Sequence, residues 1–306
     1  MANKYAFFRG CFIPVRLPHI EHIARKVLPN LNIGLVDVKG FTCCPEPIGF
    51  SIHDKLTWLT IAARNISLAE DQGLDILTLC NGCYYTLTHT LKELKEKELK
   101  DKVNEALSET GHEFKGKAKV KHFIQVLNED VGVRRFKQAV KSPLDGLNVA
   151  THTGCHFTNP ENILKFDDKY ISTIRWFGVG ANTVVLDSMV SLLGANVVDY
   201  KLKNLCCGWM LMSYGSPEAA YAWLKNRFDS MKDAGADCST VICPQCFYQF
   251  DIGQSIVSRK VNIEFKMPVM FYLQLLGLAM GYSLEEMQND SHRVRDPTFE
   301  EKMKTR

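Results

Sequence analysis

Gly73-Leu-Asp-Ile-Leu-Thr-Leu-Cys80-Asn-Gly-Cys83-Tyr-Tyr85 and Gly235-Ala-Asp-Cys-Ser-Thr-Val-Ile-Cys243-Pro-Gln-Cys246-Phe-Tyr248 are two versions of one unit. Each runs from a glycine through a short, partly β-branched apolar run into Cys-x-x-Cys and then into aromatics. Runs of this length bounded by turn residues predict buried strands. Working outward, thirty-five residues separate Cys44 from Cys80, and thirty-five separate Cys207 from Cys243. The adjacent pairs Cys43-Cys44 and Cys206-Cys207 follow Val36-Asp37 and Val198-Asp199. Cys11 precedes its pair by thirty-one residues and Cys155 by fifty. Arg9-Gly10-Cys11-Phe12 answers Thr153-Gly154-Cys155-His156. Similarity that extends beyond the cysteines points to internal duplication. Ten of the eleven cysteines fall into two pentads, and Cys238 is left as a small apolar residue in a strand.

Further β-rich runs lie at Leu31–Val38, Leu147–Val149 and Asn196–Tyr200. Leu56–Ala69 and Ala219–Met231 carry apolar residues at helical spacing. Strands alternating with helices predict an α/β fold with mostly parallel sheets. Cysteines at strand ends would gather at one sheet edge, where such folds place ligands. Ser142-Pro-Leu-Asp-Gly146 punctuates the chain, giving an N-terminal domain over 1–146, a C-terminal domain over 147–290 and a polar tail over 291–306, expected to be mobile or partner-bound. Between the repeats, Leu91, Leu94, Leu99, Val103 and Leu107 predict an amphipathic surface helix, followed by a loop over Gly111–Lys119. Met267–Met280 reads as a core or subunit-contact helix.

Composition narrows the classes. A chain of 306 residues is long enough for two domains. A hydrophobic share of 46% with 23% charged residues excludes a disordered or fibrous chain. The net charge of +3 is too small to argue for nucleic acid. The apolar stretch Pro268–Tyr282 is too short to span a bilayer, and no signal peptide is visible, so a cytoplasmic home is expected. In a reducing compartment, eleven cysteines point to metal binding or redox chemistry rather than disulfide staples.

Three chemistries compete for the pentads. Thiol–disulfide exchange suits either Cys-x-x-Cys alone but needs two thiols, not five. Structural zinc suits Cys-x-x-Cys, but adjacent cysteines diverge on an extended backbone and serve poorly as the other half of a tetrahedron. Iron–sulfur clusters take thiolates, and neighbouring irons can use an adjacent pair. No compact run of four cysteines of the ferredoxin type is present.

At these residues the sequence resembles the CCG-domain family of iron–sulfur proteins, and within it the B subunits of heterodisulfide reductases from methanogenic archaea. Gly154-Cys155-His156-Phe157, Cys206-Cys207-Gly208 and Gln274–Gly281 strengthen the likeness, which covers nearly the whole chain. It implies two duplicated CCG domains with the clusters near their interface. It implies two non-cubane [4Fe-4S] clusters, one held by Cys11, Cys43, Cys44, Cys80 and Cys83, the other by Cys155, Cys206, Cys207, Cys243 and Cys246. The implied reaction is reduction of the coenzyme M–coenzyme B heterodisulfide to two thiols, each cluster delivering one electron. The implied partners are a ferredoxin-like C subunit together with a flavin-containing A subunit, fed by a hydrogenase or formate dehydrogenase. His152 and His156 flank Cys155 as candidate proton donors or as hydrogen-bonding neighbours of a cluster. Arg9 and Arg16 bracket Cys11 as candidate partners for the substrate's anionic groups. Two departures stand out: the fifty-residue spacer, with its excess over Lys165–Asn182 around Trp176 and Phe177, and Pro45 where the family has glycine. The alternatives are a CCG electron-transfer subunit of a lactate- or glycolate-type oxidoreductase, and a non-catalytic zinc scaffold.

Overall fold

The computed structural model describes residues 3–158, 183–262 and 265–304. Two four-stranded sheets repeat one topology. The first contains β1 (Asn3–Phe8), β2 (Ile33–Val36), β3 (Asp75–Thr78) and β4 (Val120–His122), in the order β2-β1-β3-β4. The second contains β5 (Asn148–His152), β6 (Asn196–Val198), β7 (Cys238–Val241) and β8 (Val269–Phe271), in the order β6-β5-β7-β8. Every pairing is parallel. Central strands of such sheets are covered on both faces and read as continuous apolar runs. Ala6, Phe7 and Phe8 of β1 and all of β7 are accordingly buried, including Cys238.

The covering helices form for local reasons. Asp54 caps the helix Lys55–Asp71 by accepting the Thr57 amide at 3.0 Å. Trp58, Leu59, Ala62, Ala63, Ile66 and Ala69 recur at helical spacing and are buried. Ser216 caps Pro217–Asp233 in the same way, with proline in the first turn. Lys97–Ser108 buries Val103 and Leu107 and exposes its charged face, and a loop then leads to β4. The apolar stretch after Met267 is split. Its first residues form β8 against β7, and the helix begins only at Tyr272 and runs to Ala279.

The halves interlock at the carboxyl ends of their strands. The short helix Phe12–Arg16 after β1 packs on Pro244–Val261 of the other half. The matching helix Cys155–Thr158 after β5 packs on Asn81–Glu93. Phe12 meets Tyr248 and Trp209 edge to face, both at 5.4 Å between centroids, and Tyr84 meets Phe157 at 5.5 Å. Phe123, after β4, stacks on Phe271 of β8 at 5.5 Å.

The tail is docked rather than loose. The buried carboxylate of Asp251 accepts the amides of Arg293 and Val294 at 2.8 and 3.0 Å. Phe299 of the helix Pro297–Lys304 is buried, and Lys302 reaches Asp237 at 2.6 Å. Polar composition suggested a mobile or partner-bound end; here its start is held on the chain's own Asp251. Asp251→Ala strands the buried Val294 amide and the part-buried Arg293 amide, so it should lower stability by roughly 1–3 kcal/mol. Urea unfolding measures the loss, and faster proteolysis within 291–306 should accompany it.

Candidate functional site

Each pentad is delivered by three loops leaving one sheet edge. Cys11 follows β1, Cys43 and Cys44 follow β2, and Cys80 follows β3. Cys155, Cys206-Cys207 and Cys243 follow β5, β6 and β7 in the same order. Cys80 and Cys243 are the N-cap residues of Asn81–Glu93 and Pro244–Val261, whose first turns carry Cys83 and Cys246. The positive ends of both helices thus face the sulfurs. Glycine is required beside them. Gly10 has φ +64°, and a Cβ there would lie 2.7 Å from the Cys83 sulfur. Gly154 has φ +83°, and a Cβ there would lie 3.2 Å from the Cys246 sulfur.

The ten sulfurs form one continuous chain of contacts. It runs Cys11–Cys43–Cys44–Cys83–Cys80 in the N-terminal half. It crosses from Cys80 to Cys243 and continues Cys246–Cys207–Cys206–Cys155. The outermost contacts are 3.5 Å for Cys11–Cys43 and 3.7 Å for Cys155–Cys206.

This crowding splits the acidities. Hydrogen bonds from Cys43 and Cys83 draw the buried Cys44 thiol down to about 6. Bonds from Cys155 and Cys207 hold Cys206 well below the usual thiol range. Burial pushes Cys243 up, but bonds from Cys246 and Cys80 outweigh it and hold it low. The donors Cys11, Cys80, Cys83, Cys155, Cys207 and Cys246 are pushed up, first by giving their protons to neighbouring sulfurs and then by burial. Bare thiols here share protons because neighbouring anions cannot all form in a dry site. Full ionisation of the set needs cations among the sulfurs, which is what a metal centre supplies.

Several buried polar atoms lack a partner, some of them beside the sulfurs. His122 Nε2, His152 Nε2, His156 Nε2, Asn81 Oδ1, Gln249 Nε2 and Tyr85 Oη are buried without a partner among the described residues. Buried polar groups are nearly always satisfied, so these need a partner that the described residues do not provide. A ring nitrogen of His152 lies within 4.8 Å of the Cys207 and Cys246 sulfurs, with the three donor atoms mutually that close. The donor set and the orphans fit a thiolate-bound metal centre in each half.

Burial pushes His152 down to about 3 and also lowers His156, which favours the neutral rings. Uncharged rings of this kind can donate hydrogen bonds to neighbouring sulfurs. Arg9 pairs with Glu21 at 3.3 Å on the surface, and Arg16 is exposed. Pro45 leaves its loop intact: its carbonyl accepts from Thr86 Oγ1 at 3.1 Å. Trp176 and Phe177 lie outside the described residues. The cysteine spacing did not point to Asn81, whose Nδ2 donates to Thr153 O across the halves at 2.7 Å, nor to Tyr85, His122, Gln249 or Arg227. Asn81 and Tyr85 lie in and just after Cys80-x-x-Cys83, where the spacing gives them no role of their own, and His122, Gln249 and Arg227 belong to no motif.

Fold and site together define a duplicated α/β protein with a cysteine pentad at each sheet's carboxyl edge. The chain belongs to the cysteine-rich CCG domain family, which matches residues 5–88 and 149–251. It is 39% identical to the B subunit of the Ferredoxin/F(420)H(2)-dependent CoB-CoM heterodisulfide reductase of Methanosarcina acetivorans, covering 97% of this chain and 95% of that one. It is 30% identical to the 8-methylmenaquinol:fumarate reductase membrane anchor subunit of Wolinella succinogenes, covering 97% and 99%. A hypothetical protein from Helicobacter pylori shares the fold, with a TM-score of 0.76 at 16% identity, over 97% of this chain and 53% of that one. No described helix is long and apolar enough to cross a membrane.

Asn81→Ala removes the bond to Thr153 O and leaves a buried carbonyl unpaired. Stability should fall by about 1–3 kcal/mol in denaturant titration. Asn81→Asp, which offers an acceptor where a donor is needed, should cost at least as much.

Proposed function

We propose that each pentad holds one non-cubane [4Fe-4S] cluster and that the chain is the disulfide-reducing subunit of a multisubunit reductase. The observation that carries the reading is the ten-sulfur chain, two pentads meeting at Cys80 and Cys243. The similarity to a heterodisulfide reductase B subunit over nearly the full length of both chains supports it. The substrate is the coenzyme M–coenzyme B heterodisulfide. One S–S bond breaks, two electrons and two protons are taken up, and two thiols leave. When bound, each cluster supplies one electron to this reaction.

The chain's own residues do the rest. Cys11, Cys43, Cys44, Cys80 and Cys83 hold one cluster, and Cys155, Cys206, Cys207, Cys243 and Cys246 hold the other. The helices starting at Asn81 and Pro244 direct their positive ends at the site and stabilise developing thiolate charge. Arg9 and Arg16 stand beside Cys11 as cations for the substrate's anionic groups. Electrons enter from a ferredoxin-like C subunit together with a flavin-containing A subunit in the cytoplasm, fed by a hydrogenase or formate dehydrogenase.

A second reading, an electron-transfer subunit of another oxidoreductase, is favoured by the similarity to the Wolinella succinogenes protein. Anaerobically purified protein should contain about eight irons with matching sulfide per chain. With an artificial electron donor it should reduce the mixed disulfide. Iron without that activity supports the electron-transfer reading, and zinc without iron overturns both. Gly10→Ala drives a Cβ into the Cys83 sulfur and should remove about half the iron, leaving the C-terminal cluster in place.

A further inference from the structure

The two halves share their cysteines but not what surrounds them. Arg227 is 2% exposed and donates through Nη1 to His152 Nδ1 at 3.0 Å. Its Nη2 donates to the carbonyls of Leu205 and Cys206 at 2.9 and 2.8 Å. These acceptors are neutral, and a buried cation without a counter-charge is costly. An anionic centre on the adjacent Cys206-Cys207 loop would supply that charge. Arginine only donates, so Nδ1 must accept, and the ring proton is placed on Nε2. Lys203 O lies farther from the same Nδ1, at 3.4 Å. Nε2 is the orphaned atom, on a ring within 4.8 Å of the Cys207 and Cys246 sulfurs. Gly208 adds a second donor, its amide reaching the Cys206 sulfur at 3.4 Å.

The N-terminal half lacks each of these. The repeat places Phe8 opposite His152, and Pro45, which has no amide hydrogen, opposite Gly208. The residue in helix Lys55–Asp71 at the position of Arg227 in helix Pro217–Asp233 is Asn65, which donates to Cys43 O at 3.0 Å without charge. Both halves therefore hold the cysteine-pair loop from the same helical position, one with a neutral amide and one with a buried cation.

We propose that Arg227 is a positioning residue that fixes His152 as an Nε2–H donor to the C-terminal sulfurs, and that the pair raises the reduction potential of the cluster bound there. This rests on the two-cluster reading above. Hydrogen bonds to cluster sulfurs and nearby positive charge both stabilise the reduced, more negative state. The device makes the two otherwise matched electron sites unequal.

An anaerobic redox titration followed by electron paramagnetic resonance, with iron and sulfide counted in the same samples, tests it. In His152→Phe, one of two cluster transitions should move down by at least about 59 mV, tenfold in a one-electron equilibrium. The other transition should stay in place. His152→Gln, which keeps an N–H near the Nε2 position, should recover most of the shift. Arg227→Gln should shift the same transition downward and provides the reading if His152→Phe loses iron. Full iron with neither transition moved, or both moved equally, overturns the proposal. A wild-type protein without iron overturns the two-cluster reading instead.

Discussion

Ten thiol sulfurs in one chain of contacts, buried where the pentads meet and open to solvent at Cys11 and Cys43, are the constraint around which this molecule is arranged. Such a set cannot ionise in the absence of cations, because each anion makes its neighbours harder to deprotonate and burial adds to the cost. The protein answers with fixed dipoles. Two helices start at the sulfurs where the pentads meet, one of 13 residues and one of 18. Their free amides and aligned peptide dipoles favour negative charge at that place. Positive-φ glycines at 10 and 154 let the backbone come close enough for the first cysteine of each pentad to join.

The architecture concentrates these features by repetition. Parallel sheets put every loop of interest at one edge, so three loops converge without long connections. The segment after the first strand of each half then packs on the Cys-x-x-Cys helix of the other. Neither pentad is therefore walled by its own half alone. Asn81, between two cysteines of one half, bonds the loop leading to the first cysteine of the other. Two weakly different copies are thereby locked into one site, and aromatic contacts such as Phe12–Tyr248 and Tyr84–Phe157 close its flanks. Duplication also leaves room for divergence. Once the sulfur ligands are set, a phenylalanine–histidine or asparagine–arginine exchange beside them alters the electrostatics without disturbing the scaffold.

The sequence by itself determined the cysteine pattern, the repeat and the α/β class. These are local or periodic signals: strand runs ending in Cys80 and Cys243, helical spacing in Leu56–Ala69, and a constant spacer of thirty-five residues. The tertiary structure alone decided that the pentads touch at Cys80 and Cys243, that Arg227 reaches His152, and that Asp251 holds the tail. Arg227 and His152 are 75 residues apart, and Asp251 lies 42 residues from Arg293. No spacing rule connects such pairs, because they meet only through the packing of helices on sheets. Met267–Met280 shows the same limit at short range: its composition suits a buried helix, yet pairing with β7 makes its beginning a strand. The lowered basicity of His152 and His156 is likewise a product of burial, which only the folded chain imposes.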